Sequence, residues 1–335
     1  MGTDTALARA TGAELVAHYL DPNRRPARVA VWSERHRDEQ TRYCARFVTP
    51  VIGTIPCRKL TRLDFQSLLD AALTASVGQH LQRCVQALVN AGLEEGYLLA
   101  RQDVMRGVRW RPPEGQERKP EPVGRSLSRE EIPTAASVAA LGKATAEMSG
   151  VWWRELEIVL VAYSGMRWGE HVALTAERVD ADRRRITIDR QVIETRSALK
   201  EALPKSRRRR VTMYPATTPA GADLAGMVER RLGEVGEEGL LFPSPQGLWA
   251  RRSNYGRNTW DPAAKSIDWH RAENGRWAWS FHSLRHVFAT WALHQPGIRI
   301  EDVSRLMGHS SIRVTQEIYL HVYDDVYDRF YAATT

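Results

Sequence analysis

Apolar positions recur at helical spacing through the first hundred residues: Leu15, Val16 and Tyr19; Leu60, Leu63, Phe65, Leu68 and Leu69; Leu81, Cys84, Val85, Leu88 and Val89. Intervals of three and four put each set on one helix face and predict a small all-helical bundle over 11–105. Residues 111–125, RPPEGQERKPEPVGR, carry four prolines, two glycines and alternating charges. Such a stretch buries too little apolar surface to fold alone and reads as a linker. The chain therefore divides into a helical domain over 1–110, a linker over 111–125 and a second domain over 126–335.

In the second domain, Ser128-Arg-Glu-Glu131 has the spacing of a capping box and predicts a helix start there. Residues 151–163, VWWRELEIVLVAY, are apolar nearly all round, which predicts a helix in the middle of the domain, broken by Gly165. From 183 to 214 the period changes to two: Ile186 and Ile188 against Thr187 and Asp189, then Val192, then Val211 and Met213 against Thr212 and Tyr214. This alternation predicts one small antiparallel sheet, whose last connection is a cationic hairpin of Pro204, Lys205 and Ser206 before Arg207, Arg208, Arg209 and Arg210. Helical spacing returns at 281–294 and 301–328, while 242–280, rich in Gly, Pro, Asn and Trp, follows neither period.

At 335 residues, with 43% apolar and 26% charged positions, the chain has the length of about two domains and the composition of a globular protein rather than a disordered, collagen-like or disulfide-stapled one. Its 48 Lys and Arg against 40 Asp and Glu leave a net charge of +8, which favours a polyanionic partner. Cys44, Cys57 and Cys84 lack metal-ligand spacing and read as buried thiols in a reducing compartment. The longest uncharged apolar run, Ile158 to Met166, is too short to cross a bilayer, and the first thirty residues hold no signal-like apolar core. A cytoplasmic protein without membrane contact is the expectation.

Three distant segments carry candidate chemistry. Ser164-Gly-Met-Arg167-Trp-Gly-Glu170 presents an arginine on a glycine turn at the end of the buried helix. Taken singly, Arg167 is an ordinary helix-terminal cation and Glu170 an ordinary first-turn acid. In His282-Ser-Leu-Arg285-His286, His282 and Arg285 share a helix face and can address one anion. His282 and His286 also imitate half of a zinc motif, but the glutamate is missing and no third ligand has suitable spacing, so His286 reads as a core or supporting histidine. In the third segment Gly308-His309 precedes a helix that Ser310 or Ser311 can cap, with Ile312, Ile318 and Val322 on its apolar side and Tyr319 pointing elsewhere or packing at the edge. Among the eleven tryptophans, Trp249, Trp260, Trp269, Trp277 and Trp279 crowd the approach to His282 and read as core.

Together these segments resemble the tyrosine recombinase family, the phage integrase type of site-specific DNA recombinase. The Gly-x-Arg-x-x-Glu turn at 165–170, the lysine hairpin, His-x-x-Arg-His at 282–286, and Gly-His with a tyrosine ten residues after the histidine occur in family order. The turn departs from the frequent Thr-Gly-Leu-Arg in reading Ser-Gly-Met-Arg. The resemblance implies a mainly α protein: an all-helical core-binding domain, and an α+β catalytic domain with a small antiparallel sheet. It makes Tyr319 the nucleophile, Arg167 and Arg285 the phosphate-binding cations, His282 an assistant to the attack, His309 a phosphate donor and Lys205 the general acid, with Lys200 as the competing lysine. Glu170 and His286 support that set. The implied reaction leaves a 3′-phosphotyrosyl link and a free 5′ hydroxyl, and needs no metal, ATP or other cofactor.

Further expectations follow from the resemblance. The partner is double-stranded DNA at simple core sites, since too few residues precede the first helix for an arm-binding domain. Arg183, Arg184, Arg185, the run Arg207 to Arg210 and basic positions over 101–111 would grip phosphates around it. Assembly is expected as a homotetramer in the synaptic complex and as a monomer or weak oligomer without DNA, associated with the nucleoid. The tail 320–335 docks either on its own subunit or on a neighbour. The neighbouring readings are a type IB topoisomerase, which would not need two sites, and a non-catalytic DNA-binding regulator.

Overall fold

A computed structural model describes residues 9–24, 32–112, 127, 129–195, 198–205, 208–271, 277–309 and 311–319. The chain forms two compact units, 1–120 and 121–335. The sequence-defined linker falls largely outside the described residues, as do Ser128, Arg207, Ser310 and the tail 320–335.

The first unit is helical. Helix α1 (Gly12–Leu20) opens with a reciprocal cap between Thr11 and Glu14. Helix α2 (Glu34–Tyr43) continues through a π-helical turn at Cys44–Val48 into Thr49–Ile52. Helices α3 (Arg62–Asp70) and α4 (Ala75–Glu94) complete the bundle. Leu15, Tyr19, Phe65, Leu68, Leu81, Val85 and Leu88 fill one core together with all three cysteines, which are free and buried. Leu63 is the exception to the helical pattern: it sits on the outer face of α3, 80% exposed.

The second unit starts its first long helix later than the Ser128 box predicts. Arg129–Glu131 make only a 3-10 turn, Pro133 intervenes, and α5 (Ala135–Ser149) is capped by Thr134, whose hydroxyl accepts from the Ser137 N–H. Helix α6 (Trp153–Ser164) is the buried central helix, with every residue from Leu156 to Ser164 inside. It stops at Gly165, whose φ of +67° closes the helix. A Cβ there would lie 2.5 Å from the Phe288 ring, so the turn also needs glycine for closeness. The five-residue helix α7 (Trp168–Val172) follows at once.

Among the described residues the strands fall into two small sheets where one was expected. Strands β1 (Val179–Asp180), β2 (Arg185–Ile188) and β5 (Arg210–Met213) form one, in the order β1-β2-β5, and β3 (Gln191–Glu194) pairs with β4 (Leu199–Ala202) in a separate hairpin. The chain turns out of the first sheet at Asp189 and Arg190, where the Asp189 carboxylate accepts from Arg178 and Arg190. The alternation in β5 is real but inverted. Val211 is 43% exposed and Thr212 wholly buried, with Tyr214 inside as well. Pairing of Ile186 with Thr212 sets that register, and Thr212 Oγ1 donates to the Ser164 carbonyl at 2.7 Å, fastening the sheet to the end of α6.

Helix α8 (Leu224–Glu234) precedes the Trp-rich region, which contains α9 (Arg252–Tyr255), a π-helical turn and Asp261–Ser266. Trp260 and Trp269 are buried there, edge to face. Helix α10 (Phe281–Leu293) packs on α6, and the helical spacing beyond it divides at Gly308 into α11 (Ile300–Met307) and α12 (Ile312–Tyr319). Ser311 Oγ accepts from the Arg313 N–H at the start of α12. The buried face of α12 carries Thr315 and Tyr319, while Ile312 and Ile318 are only partly covered.

Candidate active site

The site is organised around the carboxyl end of α11. Three consecutive carbonyls there each accept from a different arginine: Leu306 from Arg210 Nε at 2.9 Å, Met307 from Arg285 Nη2 at 2.5 Å, and Gly308 from Arg167 Nη2 at 3.0 Å. Last-turn carbonyls lack helical partners and carry the negative end of the helix dipole, so cations gather there naturally. Arg285 also donates to the Gly165 carbonyl, joining the two glycine turns. Gly308 has φ of +64°, and a Cβ on it would lie 2.6 Å from Arg210 Cδ.

Glu170 is the carboxylate that two of these guanidiniums, those of Arg167 and Arg210, contact among the described residues. Oε1 accepts from Arg167 Nη1 at 3.0 Å, and Oε2 accepts from the Arg167 backbone N–H and from Arg210 Nη2, both at 2.8 Å. Burial raises its carboxyl pKa, but Arg210 and Arg167 outweigh that effect and hold it below the usual range. Three guanidiniums against one carboxylate leave an excess of positive charge. Burial and then the neighbouring Arg167 lower Arg285, which is 2% exposed, to about 9, so it stays charged at neutral pH.

The same field acts on the histidines. Loss of surrounding water, followed by Arg285 and Arg167, lowers His282 to about 4 and His309 to about 3. Both are therefore neutral at physiological pH. His282 lies at the open end of α10, and Lys205, exposed beyond β4, is near enough to add to the positive potential on it. His309 Nδ1 lies 2.7 Å from Thr315 Oγ1, which fixes its ring. His282 and His286 meet edge to face with centroids 5.0 Å apart, and among the described residues no group of three metal-ligand side chains includes them.

Tyr319 is fully buried beside Phe288, Ala289, Val303 and Met307. Its hydroxyl is 2.7 Å from His286 Nδ1. Burial pushes the phenol pKa well up, with Arg285 pulling the other way. His286, read from the sequence as a supporting residue, is thus the histidine in direct contact with the tyrosine, whereas His282 is not.

Arg210 departs from its sequence-based expectation. Its side chain is buried and paired with Glu170, whereas Arg183, Arg184, Arg185, Arg208 and Arg209 are exposed, with Arg183 paired to Asp180. The strand period contained the signal, because Arg210 falls on the same inward face as Thr212 and Tyr214. Thr315 was also missed, although its position four residues before Tyr319 puts both on one helix face.

A model of the phage integrase family matches residues 133–325. An integrase from Streptomyces ambofaciens is 35% identical over 83 residues, a quarter of this chain and a fifth of that protein. The curated relatives matched are spanned over only a tenth to a fifth of their own length. Among solved structures, the Tn1549 transposon integrase in complex with transposon right end DNA aligns over 97% of this chain and 100% of that one, with TM-score 0.69 at 16% identity. A lambda integrase tetramer bound to a Holliday junction aligns over 90% and 78%, with TM-score 0.61 at 15% identity. Those two likenesses establish the fold, and the family match, which covers more than half of the chain and the segments that carry Arg167, Arg285, His309 and Tyr319, establishes that this chain belongs to the phage integrase family.

Proposed function

We propose that the chain is a site-specific DNA recombinase that breaks and rejoins double-stranded DNA through Tyr319. The observation that carries this reading is the convergence of Arg167, Arg285 and the His309 turn on one end of α11, with net positive charge and with Tyr319 near Arg285. A pentacoordinate phosphorane gains negative charge on its non-bridging oxygens, and fixed guanidinium donors stabilise that charge where it develops. The N–H groups of Arg167 and Arg285 not used on carbonyls meet it, and His309 donates through Nε2 while Thr315 holds Nδ1.

In the first step Tyr319 Oη attacks phosphorus, its proton passes to a neighbouring base, and the bond to the 5′ oxygen breaks as Lys205 protonates that oxygen. Lys200 is the alternative donor. A 3′-phosphotyrosyl link and a 5′ hydroxyl result. Attack by the 5′ hydroxyl of a second duplex reverses the chemistry and completes exchange, with the phosphodiester bond conserved in the covalent link. His286 and the apolar cluster hold Tyr319 away from solvent in the free chain, so α12 must release the hydroxyl to reach DNA.

The helical unit would serve as the core-binding domain and the second unit as the catalytic domain. Exposed Arg183, Arg184, Arg185, Arg208 and Arg209, with Arg207, would contact phosphates. Four strand cleavages in two duplexes call for four tyrosines, hence a homotetramer on DNA, and integration or excision of a mobile element is the role that fits. The test is covalent capture from nicked duplexes covering the DNA that flanks the gene. Wild type should yield a denaturant-stable adduct and join two captured sites. Site-specific binding with no adduct would refute the reading, and relaxation from a single site would point to topoisomerase activity.

A further inference from the structure

Arg210 enters the second unit from the inward face of β5, opposite Ile188. One side of its guanidinium is fixed to Glu170 through Nη2, the other to the Leu306 carbonyl through Nε, and its Cδ packs beneath Gly308. The remaining nitrogen, Nη1, is buried with no hydrogen-bond partner among the described residues. A buried cation with an unmet donor is a poor way to stabilise a fold, since apolar side chains of similar volume often do as well or better. What a guanidinium supplies instead is a rigid fork able to bond two acceptors on two separate elements, which a lysine, keeping the charge but not the fork, reproduces only in part.

Each acceptor leads to a residue of the proposed chemistry. Glu170 also binds the Arg167 side chain and backbone. Leu306 is the first of the three carbonyls at the turn that carries His309. The segment before β5 carries Lys205. We propose that Arg210 is a positioning residue for phosphoryl transfer: it locks the Arg167 turn, the His309 turn and the lysine-bearing hairpin into one register without touching DNA. The inference rests on the recombinase reading above.

The experiment compares full-length wild type, Arg210→Gln and Arg210→Lys on the nicked duplex captured by wild type, measuring site affinity, its salt dependence and the single-turnover rate of adduct formation at saturating DNA. Misplaced catalytic groups cost on the order of 100-fold in rate. Arg210→Gln should slow adduct formation about 100-fold while affinity stays within about threefold, and Arg210→Lys should recover about tenfold of that loss. The acid limb of the rate profile should move to higher pH in Arg210→Gln, because a cation that holds down His309 is gone. Weakened binding with a salt slope shallower by about one and an unchanged saturated rate would make Arg210 a phosphate contact and overturn the proposal. So would a rate loss matched by loss of folded protein in thermal melts, with the pH profile unmoved and Arg210→Lys no better than Arg210→Gln. Absence of an adduct with wild type would remove the recombinase reading and this one together, whereas an Arg210→Gln adduct at the wild-type rate would remove this one alone.

Discussion

The Tyr319 hydroxyl and His286 Nδ1 are 2.7 Å apart, joining two helices through residues 33 positions apart in sequence. This contact anchors α12 against α10 and keeps the phenol among apolar side chains. His286→Ala should lower stability to urea by about 1 kcal/mol, the usual net worth of one such bond. An unchanged unfolding midpoint would mean that the contact contributes nothing in solution.

Gly308→Ala should be among the most damaging single-methyl changes. It combines a left-handed backbone, which costs an L side chain about 1 kcal/mol or more, with a Cβ driven against the pinned Arg210 side chain. Denaturation should show a loss of about 1–3 kcal/mol, and adduct formation should fall with it because His309 is the next residue. Wild-type stability in this variant would show that the α11 turn can shift to accommodate the added methyl group.

Histidine titration gives stability a defined pH dependence. His282 and His309 are lowered to about 4 and about 3, so between those values and about 6.5 the unfolded chain binds more protons than the folded one. Stability is then fully present above about pH 6.5 and is lost as pH falls towards 4. Each histidine contributes some fraction of the limiting ~1.4 kcal/mol per pH unit, with solvent screening reducing the share of the exposed His282. Urea midpoints between pH 7 and 4.5 should decline in wild type and more gently in His309→Gln; equal slopes would contradict the assignment.

Arg285→Lys preserves charge but not the fork that reaches Gly165 and Met307 together. Removing a fixed donor from a developing oxyanion typically costs 100- to 1,000-fold, so single-turnover adduct formation should fall by about that factor. A loss under about tenfold would exclude Arg285 from the transition state.

The exposed arginines make the opposite prediction. Arg208→Ala and Arg209→Ala should each weaken binding to all duplexes alike and flatten the salt dependence by about one unit, leaving the rate at saturating DNA intact. An effect on that rate at saturation would move them into the site.

The sequence made most of this architecture legible where one period dominated. The helical faces of Leu15 to Tyr19 and of Leu81 to Val89, the buried helix before Gly165 and the order of the polar motifs all read correctly, because burial on one face is written directly into spacing. Val211 and Met213 misled because edge-strand burial is decided by a polar contact, Thr212 to Ser164, that no hydrophobic pattern encodes. Arg210 was hidden within an arginine run for a related reason: charge composition cannot say which of four neighbours points inward, although strand parity can. The clustering of three arginines on Leu306, Met307 and Gly308 depends on backbone carbonyls, which sequence does not distinguish.

Attack by Tyr319 is tested by digesting the captured protein–DNA adduct with trypsin and locating the nucleotide by mass spectrometry. Cleavage after Arg313 and Arg329 yields a peptide containing Tyr319, Tyr323 and Tyr327, so the site of attachment is resolved within one fragment. The expected result is a 3′-phosphonucleotide on Tyr319 and no adduct from Tyr319→Phe. Attachment at Tyr323 or Tyr327, or an undiminished adduct in Tyr319→Phe, would contradict it.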